Sequence, residues 1–426
     1  MGFFDWIDDI WRHRKIAKTN QKQRGVVHYL PSQVGGFVEP DSCFGNTLIS
    51  GGNAQIRSEA INALCIRAAN ASLPVIVLHQ GDTHCENTLR KTFSGFQHFY
   101  LVNNLNPIFD PIYGLPENQI RNTVVNSAPK EYRITPAGGD YVAALTLTMS
   151  TKAKNIPLPA LISLINNDNV PKLLQAGQLP ATVAPTIQHL YTRGQAEIHS
   201  VNRYFRTLAD QCSAVLPKSK QAYMKCCNLK KVIDSQGVLV LDLISDMNNL
   251  YIRLLMELFR DMVRSGQRFL LIVDDLSITE ENGLKPFLAS QNNKVSKAVS
   301  SEDLFASCGC APQLFQTLLG HSQKWFVFNH MSDESAKQWS KGFGMYEKIE
   351  TSYNLGKGGS KGSGFGFGYI GWNRNNQYNS GETFFHKDEA KVRSFEIQNL
   401  QTRQGFVYTK SNNELAYVSE LHFNVR

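Results

Sequence analysis

Short apolar runs and helical periodicity alternate along much of the chain. Thr47–Ser50 reads as a short buried strand, and Ile56–Ala69 repeats apolar residues at Ile56, Ala60, Ile61, Leu64 and Ala68, the spacing of a helix. Leu73–Leu78 and Phe99–Val102 follow as apolar runs of strand length. Strand, helix, strand in succession predicts a parallel sheet with crossover helices. Upstream, residues 25–46 read as strand-poor, because Pro31, Gly35, Gly36 and Pro40 interrupt them.

Residues 114–230 have a different pattern. Helical periodicities there are cut by Pro116, Pro129, Pro157, Pro171, Pro180 and Pro185, and 194–213 is amphipathic, with Ile198, Val201, Phe205 and Leu208 on one face. This predicts an all-helical insertion. The sheet resumes at Gly237–Leu241. Asn248–Arg264 reads as a helix that buries Leu250, Leu254, Leu255, Leu258, Phe259 and Met262, and strands follow at Phe269–Val273 and Lys324–Phe328. A strand-rich end, 394–426, includes Gly405–Thr409 and Glu414–Ser419. The expected fold class is α/β, with a mostly parallel sheet over 41–113 and 231–426 and the helical insertion at 114–230.

At 426 residues the chain can bury a large core, and 42% apolar with 19% charged residues is ordinary for a globular protein. A net charge of +8 permits an anionic partner without requiring one. The eight cysteines show no C-x-x-C spacing, and scattered thiols fit a reducing compartment. No apolar stretch is long enough to span a bilayer. Residues 1–24 form an amphipathic pattern in which Phe3, Phe4, Ile7, Ile10 and Trp11 recur at helical spacing. That pattern suits an interfacial or docking helix, and equally a terminal helix packed on its own domain.

The chemistry concentrates at strand ends. Gly51-Gly52-Asn53-Ala54-Gln55-Ile56-Arg57-Ser58 follows a strand and opens a helix, as does the phosphate loop G-x-x-x-x-G-K-[ST]. Ile56 replaces the second glycine and Arg57 the lysine, while Ser58 retains the hydroxyl that holds Mg²⁺. A β-branched residue resists positive φ, and a guanidinium is not equivalent to an ammonium, so weakened nucleotide affinity is expected. A plain Gly-Gly turn is the alternative reading. Arg268-Phe269-Leu270-Leu271-Ile272-Val273-Asp274-Asp275 has the form of a Walker B strand. Asp274 would orient Mg²⁺, and Asp275, one methylene shorter than Glu, would activate water with shifted geometry. Two acids at a strand end also suit a solvated turn. Asn329 is placed to sense a γ-phosphate or simply to cap.

A Gly-rich stretch spans 354–374. Lys357, Lys361 and Arg374 are interleaved there with Phe365, Phe367, Tyr369 and Trp372. Glycine at this density predicts a flexible loop. Charge plus stacking suits single-stranded nucleic acid, and the same residues suit contact with a neighbouring subunit.

These pieces, in this order, resemble the FtsK–HerA superfamily of pumping P-loop ATPases, and within it the coupling proteins of type IV secretion and conjugation. The resemblance runs diffusely over 41–426. Thr47–Ser58 corresponds to the first strand and Walker A. Val75–Asp82, ending Gln80-Gly81-Asp82, resembles the next strand, and Asn106-Pro107-Ile108-Phe109-Asp110 the turn into an inserted all-α domain. Val238–Leu243 and Phe269–Asp275 correspond to the late strands that end at Walker B. The resemblance implies a RecA-like core, ATP and Mg²⁺ as cofactors, and a homo-oligomeric ring. It also implies DNA or secreted-protein substrates and secretion-channel partners. Coupling proteins usually carry N-terminal transmembrane helices; here only the amphipathic stretch 1–24 stands in that place, so a cytoplasmic location is expected, with residues 1–24 as the candidate for peripheral membrane contact. The altered Ile56 and Arg57 favour weak or absent ATPase activity. An active DNA-translocating motor and a nucleotide-free structural adaptor are the rival readings.

Overall fold

The computed structural model describes residues 3–29, 45–132, 134–151, 153, 155–166, 169–243, 249–359 and 376–423. Its centre is a ten-stranded sheet. In chain order the strands are β1 (Val26–Tyr29), β2 (Thr47–Ser50), β3 (Val75–His79), β4 (Phe99–Val102), β5 (Val238–Asp242), β6 (Phe269–Asp274), β7 (Val295–Ser301) and β8 (Lys324–Val327). Two long strands, β9 (Met345–Gly359) and β10 (Asn376–Ala390), form a separate antiparallel hairpin. The sheet closes with β11 (Gly405–Thr409) and β12 (Glu414–Val418). Its order is β1-β12-β11-β8-β2-β7-β6-β3-β5-β4. From β8 to β4 every pairing is parallel, whereas β11 runs antiparallel to β8 and β12. This is a RecA-like P-loop core with a mostly parallel sheet.

The central strands are apolar because both their faces are covered. Every residue of β2, β3, β5 and β6 is buried. Helix α1 (Phe3–Arg24) precedes the sheet and contacts β9. Helix α2 (Ala54–Asn70) follows β2, and α3 (Thr83–Thr92) follows β3. Between β4 and β5 every regular α-helical or strand element among the described residues is helical: α4 (Glu117–Ser127), α5 (Pro136–Ser150), α6 (Leu158–Asn166), α7 (Asn169–Gln175), α8 (Ala184–Arg193), α9 (Gln195–Cys212), α10 (Lys220–Met224) and α11 (Leu229–Asp234). This is the inserted all-α domain.

Asp110 ties the insertion to the sheet. Its Oδ1 accepts from the N–H groups of Ile112 and Tyr113, and its Oδ2 from Leu158 N–H at 2.8 Å and the Tyr223 hydroxyl at 3.0 Å. Burial pushes its pKa up to about 6, against the pull of those donors. Beyond the insertion come α12 (Asn249–Arg264), α13 (Leu284–Ala289), α14 (Leu304–Ser307), α15 (Pro312–His321), α16 (Asp333–Phe343) and α17 (Ser394–Gln398).

Three differences from the sequence expectations have physical causes. The strand Val26–Tyr29 lies inside the stretch read as strand-poor, because β12 offers it a parallel partner. The strand β7 has no apolar run, yet all seven of its residues are buried. Three of its polar side chains are paired: the Ser296 hydroxyl donates to Gly45 O, Lys297 Nζ donates to the carbonyls of Phe287 and Ser290, and the Ser301 hydroxyl bonds that of Ser307. Finally, Asn354–Gly359, expected within a flexible loop, ends β9. Cross-strand pairing with β10 supplies the backbone hydrogen bonds that glycines cannot secure alone.

Candidate nucleotide and cation site

The P-loop lies between the end of β2 and the start of α2, and β2 is flanked by β7 and β8. Helix α2 begins at Ala54, so the turn consists of Gly51, Gly52 and Asn53. Ile56 is therefore already helical, and the expected conflict between a β-branched side chain and positive φ does not arise. The glycines answer to a different neighbour. Both have positive φ, and a Cβ on Gly51 would stand 2.5 Å from Asn329 O, one on Gly52 3.0 Å from the Phe328 side chain. The end of β8 thus presses on the loop where a phosphate-binding loop would curl outward.

The loop's own groups fill it. Gly51 N–H donates to Ser301 O and Gly52 N–H to Asn329 O. The Asn53 side chain caps α2 by accepting from Ile56 N–H at 3.0 Å. Arg57 points across the site. Its guanidinium donates to Gly52 O at 3.0 Å and forms a 2.5 Å ion pair with Asp275. The Arg57 side chain is 3% exposed and that of Asp275 32% exposed. The group in the lysine position is therefore held by the second acid of the Walker B strand.

Asp275 is committed on both oxygens. Its backbone is left-handed, with φ +50, its Oδ1 accepts from Glu302 N–H at 2.8 Å, and its Oδ2 takes Arg57. Asp274 presents the opposite case. It is fully buried, and no well-formed hydrogen bond reaches either carboxylate oxygen, the Ser300 hydroxyl being the polar group beside it. Burial, then the charge of Asp275, push its pKa up to about 8, with Asp82 adding and Ser300 and Arg57 opposing. An orphaned buried carboxylate of this kind fits a cation. Ser58, fully buried, donates its hydroxyl to Ala54 O at 2.7 Å, which leaves its lone pairs free. Among the described residues no three His, Cys, Asp or Glu side chains group to hold a metal, so hydroxyl and water ligands would complete any shell. The residues thus fit Mg²⁺. In this arrangement the N–H groups of Gly51, Gly52 and Ile56 and the Arg57 guanidinium are already engaged, which works against a triphosphate.

Two further acids and a histidine, unassigned in the sequence, lie nearby. In the sheet register His79 is opposite both Asp274 and Asp242. His79 is buried, and its Nδ1 accepts from Asp82 N–H at 3.2 Å. Burial lowers its pKa, with Asp242 and Glu86 opposing. Asp242 accepts from Gly81 N–H at 2.8 Å. The sequence signals of these groups are apolar strands with polar residues at the ends and, for Asp82, the Gln80-Gly81-Asp82 ending.

Asn329 spends its amide on structure, donating to Gln398 O at 2.5 Å and Leu400 O at 2.9 Å. It thereby pins the segment after α17 over a cavity of about 640 Å³ beside the loop, lined in part by Asn53, Asp303, His330 and Arg403. Of the basic and aromatic residues singled out in the Gly-rich stretch, Lys357 falls in β9. Lys361, Phe365, Phe367, Tyr369, Trp372 and Arg374 lie outside the described residues.

Comparison with solved structures matches this arrangement over nearly the whole chain. A trigonal form of the bacterial conjugative coupling protein TrwBdeltaN70 in complex with sulphate aligns with a TM-score of 0.58 over 94% of each chain, at 12% identity. The fold is that of a conjugative coupling protein. The plasmid coupling protein TrwB in complex with ADP and Mg²⁺ aligns at 0.57, again with 12% identity and 94% of each chain covered. Its complex with a non-hydrolysable ATP analogue aligns at 0.54 with 14% identity, over 97% of this chain and 92% of that one. No family model and no curated protein matches the chain. At these identities the likeness establishes the coupling-protein fold; the chemistry has to come from the side chains.

Proposed function

We propose that the chain is a divergent coupling-protein-like P-loop protein of a conjugative or type IV secretion apparatus that moves DNA or protein, with weak or absent ATPase activity. The observation that carries this reading is the Arg57–Asp275 ion pair across a loop in which the Gly51 and Gly52 N–H groups are already bonded. Nucleotide would have to break the pair and lift Asn53 before reaching the loop. The cost of leaving a buried charge unpaired, about 3–5 kcal/mol for the breaking of such pairs, would weaken binding by several orders of magnitude. Asp275 lies a third exposed, which reduces that figure.

In this reading residues 41–113 and 231–426 form the core and 114–230 the insertion, and the protein assembles as a ring that engages channel proteins. No described helix is long and apolar enough to cross a membrane. Contact with a membrane would fall to residues 1–24, where Trp11 is 67% exposed. TrwB binds ADP with Mg²⁺, and this chain would bind them weakly.

Titration with fluorescent ATP and Mg²⁺, followed by hydrolysis assays with and without DNA, tests the proposal. Millimolar affinity and turnover near background are expected. Micromolar affinity with turnover lost in Asp274→Ala would overturn it in favour of an active motor. DNA binding should weaken steeply with salt, and a flat response would point to protein substrates.

A further inference from the structure

We propose that Asp82 is the second carboxylate of a divalent-cation site completed by Asp274 and the Ser58 hydroxyl, taking the position that the paired-acid motif would give to Asp275. The proposal rests on reading the β2–α2 turn as a P-loop, and it reassigns one of that site's acids.

Both Asp275 oxygens are drawn away towards Arg57 and Glu302 N–H. Asp82 has one oxygen to give. As the N-cap of α3 it accepts from His84 and Cys85 N–H with Oδ1, at 2.8 and 3.0 Å. That leaves Oδ2, which accepts only a long 3.5 Å contact from the Ser58 hydroxyl. The Ser58 proton is already directed to Ala54 O. The two oxygens therefore face each other mainly as lone-pair donors, an arrangement a cation resolves. Neighbouring oxygens on an octahedral ion stand apart by its bond length times the square root of two. That gives ~3.0 Å for Mg²⁺ and ~3.4 Å for Ca²⁺, so the observed separation suits a cation at the larger end without rearrangement.

The turn that carries Asp82 is a built one. Strand register sets His79 between Asp274 of β6 and Asp242 of β5, and Gln80 and Gly81 lead from it to Asp82. Gly81 has φ +63, and its N–H is held by Asp242. Asp82 N–H is held by His79. The second, independent observation is Asp274 itself, fully buried with two unpartnered oxygens.

Electron paramagnetic resonance of Mn²⁺ with the nucleotide-free full-length chain tests the assignment. The wild type should bind Mn²⁺. Asp82→Asn, which keeps a good helix cap, should bind at least ~10-fold more weakly, and Asp275→Asn should bind like the wild type. Ser58→Ala, which leaves both acids in place, should also weaken binding. Wild-type affinity in Asp82→Asn, or loss in Asp275→Asn to match Asp274→Asn, overturns the proposal, as does a wild type that binds no Mn²⁺. Fluorescent-ATP binding measured in parallel separates the two levels. A wild type that binds nucleotide while Asp82→Asn retains Mn²⁺ removes Asp82 alone. Absence of both nucleotide and Mn²⁺ binding removes the P-loop reading.

Discussion

Replacing Asp110 by Ala should cost more stability in acid than at neutral pH, the reverse of the usual behaviour of a hydrogen-bonded carboxylate. The residue lies in the segment after β4, accepts locally from the Ile112 and Tyr113 N–H groups, and reaches the insertion through Leu158 N–H and the Tyr223 hydroxyl. The Ile112 and Leu158 amides among them are buried, and stranding them costs about 1–3 kcal/mol each. Superimposed on that loss is a proton term. The folded-state pKa, about 6, lies above the ordinary 3.8. A raised pKa means that the folded protein holds the proton more tightly than the unfolded chain. The stabilisation is complete below the unfolded pKa and disappears as pH rises through the folded one. Each pKa unit is worth about 1.4 kcal/mol, so roughly 2 kcal/mol is lost between about pH 4.5 and pH 7.5. Urea unfolding of wild type and Asp110→Ala at both pH values isolates this quantity, because all other titrating groups cancel in the double difference. The variant should be more damaging at the lower pH by about 2 kcal/mol. An equal cost at both, or a larger cost at the higher pH, would refute the burial argument.

Other outcomes follow from the loop. Gly51→Ala should lose several kcal/mol in urea unfolding, because its Cβ would meet Asn329 O at 2.5 Å with φ at +85; a loss under about 1 kcal/mol would mean that β8 does not press on the turn. Arg57→Ala should destabilise by about 2–4 kcal/mol, discounted for the exposure of Asp275. Arg57→Lys should recover only part of that in thermal melts, since one ammonium cannot reproduce the planar fork that reaches both Gly52 O and Asp275. Arg403→Ala breaks a partly exposed bidentate pair with Glu59, and should cost no more than about 1 kcal/mol by chemical denaturation.

Much of the sheet was legible because its strands are covered on both faces, which forces unbroken apolar runs at β3, β5 and β6. The strand β7 was illegible for a complementary reason. Ser296, Lys297 and Ser301 are buried with partners outside the strand, from Gly45 far upstream to Phe287 and Ser307 on its flanks, and no alternation of apolar residues reveals those partners. At the loop, eight letters could be aligned to a motif, but the early start of α2 depends on the Asn53 cap and on the carbonyls at the ends of β7 and β8. Likewise Asp274-Asp275 reads as a pair along the chain, while the turn at φ +50 sends the second acid towards Arg57. The proximity of Ser58 to Asp82 crosses two strands and could be seen only in three dimensions.

The position of β2 carries a consequence for biosynthesis. Thr47 pairs with Ala298 on one side and Lys324 on the other. Both partners leave the ribosome on the order of 250 residues later, which at ~5–20 residues per second is a wait of roughly ten seconds to one minute. During that interval β2 and the glycine turn have no sheet to join, while α4 to α11 can assemble through contacts near in sequence. The Gly51–Asn53 turn is therefore among the last parts of the molecule to take shape. A nascent chain stalled before β7 would expose an apolar strand with two open edges, the form of intermediate on which chaperones act.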